Sequence, residues 1–61
     1  MTRDVLFEFR TMGQYVRVSA IDPLTKTEVQ IVGSARSTEE ELKRVATNKL
    51  LYVMKKKNLI S

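Results

Sequence analysis

The charged side chains available for chemistry are Asp4, Glu8, Asp22, Glu28, the cluster Glu39-Glu40-Glu41, and eleven Lys and Arg residues; His and Cys are absent. Without His the commonest general base is missing, and without Cys so is the strongest thiol nucleophile. The same absences exclude disulfides and the usual zinc ligand sets. None of the carboxylates forms a spaced pair of the kind used in acid/base or metal chemistry. Asp22 precedes Pro23 and reads as a turn former. The stretch Gly33-Ser34-Ala35-Arg36-Ser37-Thr38 leads into a helix, whose N-terminus could bind phosphate. It lacks the Gly-x-x-x-x-Gly-Lys pattern, however, and three glutamates follow at once. The expectation is a protein that is not an enzyme, with no catalytic residue, cofactor, metal or small-molecule substrate.

Which elements hold these residues is set by a change of rhythm near Gly33. Before it apolar residues alternate: Val5, Phe7, Phe9; Val16, Val18, Ala20; Val29, Ile31. After it they recur at three and four: Leu42, Val45, Ala46, Leu50, Val53. Alternation lays side chains on one face of a strand, and the longer spacing lays them on one face of a helix. The fold class is therefore α+β: a three-stranded antiparallel meander followed by one C-terminal helix packed on one face, in the order β-β-β-α. Strands are expected at about 4–12, 15–21 and 28–32, a helix at about 38–56, and a short tail at 57–61 that frays. One domain, 1–61, is all that fits.

Matching apolar faces pairs Phe9 with Val18 and Phe7 with Ala20, which leaves Gly13-Gln14 as a two-residue loop. Gly in its first position suits a type II′ turn. A second loop, Pro23 to Lys26, pairs Ala20 with Val29 and Val18 with Ile31, and asks Lys26 for a positive φ. Gly33 should end the third strand. Ser37 and Glu40 make a capping box, with the acidic cluster on the favourable end of the helix dipole. Glu39 with Lys43 and Glu40 with Arg44 are i,i+4 pairs. The expected core is Val5, Phe7, Phe9, Val16, Val18, Ala20, Val29, Ile31, Leu42, Ala46, Leu50 and Val53. Lys49 falls amid the helix's apolar face, where a snorkelling side chain with its ammonium at the sheet margin is the plain reading.

The residues left over suggest partners. Leu51 falls opposite Leu42 on a helical wheel, with Met54 beside it, so the run Leu50 to Met54 is apolar nearly all round. On the outer sheet face Leu6 pairs with Ile21. Leu51, Met54, Leu6 and Ile21 are thus the candidate interface for an unknown protein partner or a second copy. A chain of 61 residues buries only ~60% of its unfolded surface, so association would help it. Strand one is also long enough to pair with another chain.

Nucleic acid is the alternative partner. The net charge is +4, but Lys55, Lys56 and Lys57 supply three of those units at a helix end, where cations are favoured anyway. On the outer sheet face Arg10 and Arg17 oppose each other, an unfavourable pairing unless a carboxylate or an external anion intervenes. Arg10, Gln14, Arg17 and Lys26 are the candidate contacts. The β-β-β-α order is similar to that of small integrase N-terminal domains that lay a sheet in the major groove. Leu42 to Leu50 loosely resembles the last helix of a double-stranded-RNA-binding domain. That domain places lysines at the helix start, though, where this chain has Glu39 to Glu41. No apolar run approaches a membrane span, and the N-terminus lacks the apolar stretch of a secretory signal. A cytoplasmic protein is expected.

The whole chain resembles a family of short uncharacterised alphaproteobacterial proteins, carried as a domain of unknown function. The strings that carry the likeness are Glu8-Phe9-Arg10, Gly13-x-Tyr15-Val16-Arg17-Val18-Ser19-Ala20-Ile21-Asp22-Pro23, Thr27-Glu28-Val29 with Ile31-Val32-Gly33, and Glu40-Glu41-Leu42 with Lys49-Leu50-x-Tyr52-Val53. In that family the second hairpin often carries Gly where Lys26 stands. The resemblance implies no activity, cofactor or binding residue.

Overall fold

The computed structural model describes residues 4–60. The sequence readings at Met1 to Arg3 and at Ser61 lie outside them. The chain runs β1 (Leu6–Met12), β2 (Tyr15–Asp22), β3 (Thr27–Ser34) and α1 (Glu39–Lys56). The strands form one antiparallel sheet in the order β1-β2-β3.

The register is the one that face-matching requires. Phe9 faces Val18 and Phe7 faces Ala20, while Val18 faces Ile31 and Ala20 faces Val29. Gly13 has φ +61° and Gln14 is not in the positive region, the signature of a type II′ turn. Lys26 takes φ +61°, as the four-residue loop demands, and its N–H donates to Asp22 O at 2.7 Å. Fully buried Asp22 organises this turn: its Oδ2 accepts from Thr25 N–H at 3.1 Å and from Thr25 Oγ1 at 2.7 Å.

Three local expectations are corrected. Gly33 does not end β3; it lies inside the strand, paired with Val16. Its role is clearance, because a Cβ there would run into Leu42 Cδ2 of the helix. The N-cap is Thr38, not Ser37: Thr38 Oγ1 accepts from Glu41 N–H at 3.1 Å. Ser37-x-x-Glu40 and Thr38-x-x-Glu41 both fit the capping pattern, and extended backbone at Thr38 (φ −75°, ψ 156°) selects the second. The C-terminal tail, expected to be loose, is tied back to the helix and core up to Ile60. Asn58 turns left-handed (φ +59°), Asn58 N–H donates to Lys55 O, and Leu59 N–H donates to Met54 O at 2.8 Å. Those two bonds are a Schellman closure, and they return Ile60 to the core.

The helix packs against β2 and β3. The buried core comprises Val16, Val18, Ala20, Val29, Leu42, Ala46, Leu50 and Met54. The helical members form a single i,i+4 row, Leu42-Ala46-Leu50-Met54. Val5, Phe7, Phe9, Ile31 and Val53, all expected in the core, are only partly buried.

Candidate functional site

The geometry that matters follows from widths. A helix with its side chains is about 10 Å across, and strands lie about 4.8 Å apart. One helix therefore roofs two strands, and here they are β2 and β3. No residue of β1 is fully buried. Its inner-face aromatics, Phe7 and Phe9, lie with ring centroids 6.5 Å apart and remain half-buried. This strip borders an open sheet edge, since among the described residues β1 has a strand neighbour on one side only.

The two flanks of the helix differ. On one, Lys49 Nζ donates to the Gln30 carbonyl of edge strand β3 at 2.8 Å, the snorkelling arrangement expected of it. On the other, Lys43 Nζ lies over the Phe7 ring, 5.5 Å from its centroid. Lys43 was expected to reach back to Glu39; it turns to the aromatic face instead, a contact worth ~0.5–1 kcal/mol. Thr47 and Leu51 continue the row begun by Lys43 at i+4 and i+8. Half-buried Leu51 thus belongs to the flank that looks over β1.

The residues expected at an interface do not make one patch. Met54 is 0% exposed and belongs to the core, which corrects its assignment as a docking residue. Sequence placed the buried sector too near Lys49 and Val53; the real sector is rotated toward Met54 because the helix sits over β2 and β3. Leu6, 54% exposed, and half-buried Ile21 are paired neighbours on the outer face of the sheet. Leu51 lies on the helix, beyond the opposite face. Phe7 and Phe9 escaped notice as surface residues because alternation marked them as core. The available signal was the count of elements, three strands under one helix.

The candidate nucleic-acid contacts also separate. Arg10 and Arg17 are direct partners across β1 and β2. Gln14 is in the β1–β2 turn and Lys26 in the β2–β3 turn, at opposite ends of β2. Glu8 and Gln30 join the two arginines and Ser19 around a depression of about 110 Å³. That is below the ~300 Å³ at which ligand pockets begin. Among the described residues no three of His, Cys, Asp and Glu come together to hold a metal. No described helix is long and apolar enough to cross a membrane.

Comparison with curated proteins and with solved structures found no match. A family model described as a domain of unknown function, DUF6898, matches residues 2–57. The half-roofed β-β-β-α unit described above therefore belongs to the DUF6898 family.

Proposed function

We propose that this chain is a non-enzymatic module that self-associates, or docks a protein partner, through its β1 side. The observation that carries the reading is the half-covered pair Phe7 and Phe9 beside an open strand edge. Half-buried aromatics at a free edge leave both apolar area and backbone hydrogen-bonding groups unused, and a second chain supplies both. Leu51 on the adjoining helix flank and Leu6 with Ile21 on the outer face extend the apolar area to both sides of that edge. The setting proposed is the cytoplasm of an alphaproteobacterium, with no cofactor and no small-molecule substrate. Sedimentation velocity from micromolar to near-millimolar concentration tests the reading. A concentration-dependent rise in mass is the expected result. A strict monomer throughout, with no protein partner captured, would remove it.

The nucleic-acid reading rests on the apposed Arg10 and Arg17. It is weakened by Glu8 and Glu28 on the same face and by the distance between Gln14 and Lys26. A low-salt titration with mixed-sequence DNA and RNA, followed by amide shifts, decides it. Shifts gathered at Arg10, Gln14 and Arg17 would favour this reading over the first, and still amides would end it.

A further inference from the structure

The β1 edge has a built-in address. In a two-residue hairpin the pair flanking the turn, here Met12 and Tyr15, exchanges backbone bonds, and such pairs alternate along the ladder. Arg10, Glu8 and Leu6 therefore turn their N–H and C=O toward β2. Thr11, Phe9 and Phe7 turn theirs outward. The same alternation carried across β2 places Gln30 outward on β3, and that is where Lys49 takes its carbonyl. The β3 edge is thus occupied at its middle, while among the described residues the β1 edge meets no other strand.

We propose that the occupant of this edge is a second copy of the chain, its β1 antiparallel to the first, with the two-fold axis through Phe9. This rests on the self-association reading above and fixes its geometry. The argument is one of parity and charge. Outward groups can bond only to outward groups, so the axis must pass through a residue of β1 and not between two. An axis at Glu8 sets Glu8 against itself, and an axis at Arg10 sets Arg10 against itself; like charges directly opposite are unfavourable. An axis at Phe7 sets Leu6 against Glu8. An axis at Phe9 sets Glu8 against Arg10 of the second copy, twice by symmetry, and Leu6 against Met12 of the second copy. Backbone bonds then run between the two Phe9 residues and between Phe7 and Thr11 in both directions. The result is a six-stranded sheet with order β3-β2-β1-β1-β2-β3. Arg10, which within one copy faces only Arg17, gains a carboxylate from across the axis. The four phenylalanines become the floor between the two helices.

The experiment is a charge swap with a direct structural readout. Glu8→Arg and Arg10→Glu each put like charges opposite in the pair, and each should raise the dimer dissociation constant by about 30-fold in sedimentation equilibrium. The double variant Glu8→Arg with Arg10→Glu restores opposite signs and should return to within about threefold of wild type. Thr11→Pro removes an N–H that points away from β2, so one copy keeps its ladder while the pairing is lost. In an unmodified sample mixing isotope-labelled and unlabelled wild-type chains, a filtered NOE should link Glu8 Hα to Arg10 Hα of the other copy. A dimer that ignores all three substitutions, or shows intermolecular NOEs elsewhere, overturns this register and leaves self-association standing. A wild-type monomer at near-millimolar concentration overturns both.

Discussion

Lys49 Nζ stands 2.8 Å from the carbonyl oxygen of Gln30, nineteen residues earlier in the chain, so a helix lysine occupies an acceptor on the outer strand of its own sheet. A lysine at an edge keeps that edge from templating another strand. Among the described residues no side chain takes a backbone acceptor on the opposite edge; Lys43 lies over the Phe7 ring there instead. On the self-association proposed above, this asymmetry would confine pairing to one side, as a closed dimer requires; two open edges would allow growth without end.

Replacing Lys49 by Ala should therefore change assembly more than stability. The fold should lose less than ~1 kcal/mol, because the bond is exposed to water. Size-exclusion chromatography at fixed concentration should show species larger than the wild type forms, as the β3 edge becomes available.

Gly33→Ala should destabilise the chain by ~1–3 kcal/mol, because the added methyl meets Leu42 Cδ2. Urea denaturation reads the loss. Combined with Leu42→Ala, the two effects should fall short of their sum, since the second change removes the atom that the first one strikes.

Lys26→Gly should stabilise by ~1 kcal/mol. Lys26 holds φ +61° with a Cβ that crowds its own carbonyl, and Gly has none. A rise in thermal midpoint with unchanged amide shifts outside the β2–β3 turn is the expected outcome.

Met54 and Leu51, three residues apart, should part company. Met54→Ala empties a fully buried site and should cost ~2–5 kcal/mol. Leu51 is only half-buried, and Leu51→Ala should cost nearer ~1 kcal/mol. Chemical denaturation of both variants checks the ranking.

Asp22→Ala should cost ~2–3 kcal/mol, since the fully buried Asp22 accepts two bonds from Thr25 through Oδ2. Thr25 amide protection against hydrogen exchange should fall along with it.

The strands were legible because alternation has only two phases. Only one phase puts Phe9 beside Val18 and not beside Arg17, and Gly13 supplied a turn that agreed. The cost at Lys26 was readable for the same reason, since loop length and register leave one backbone solution. Caps were half legible: Ser37 and Thr38 offer equal chemistry, and only the path of the backbone out of β3 chooses between them. Asn58 closes the helix through a left-handed residue that Gly more often provides, so the Schellman turn and the return of Ile60 did not announce themselves.

The sequence by itself determined which residues share a face, because side-chain direction follows from a local period of two or of 3.6. Only the tertiary structure decided where the helix rests across the sheet. A wheel gives the order of residues around a helix but not the sideways position of its axis. Setting that axis over β2 and β3 buried Met54, carried Lys49 to the Gln30 carbonyl, and left Phe7 and Phe9 half-covered on β1. The half-covered aromatics on which the proposed function depends are the outcome of that placement, since a roof about two strands wide covers a platform of three only in part.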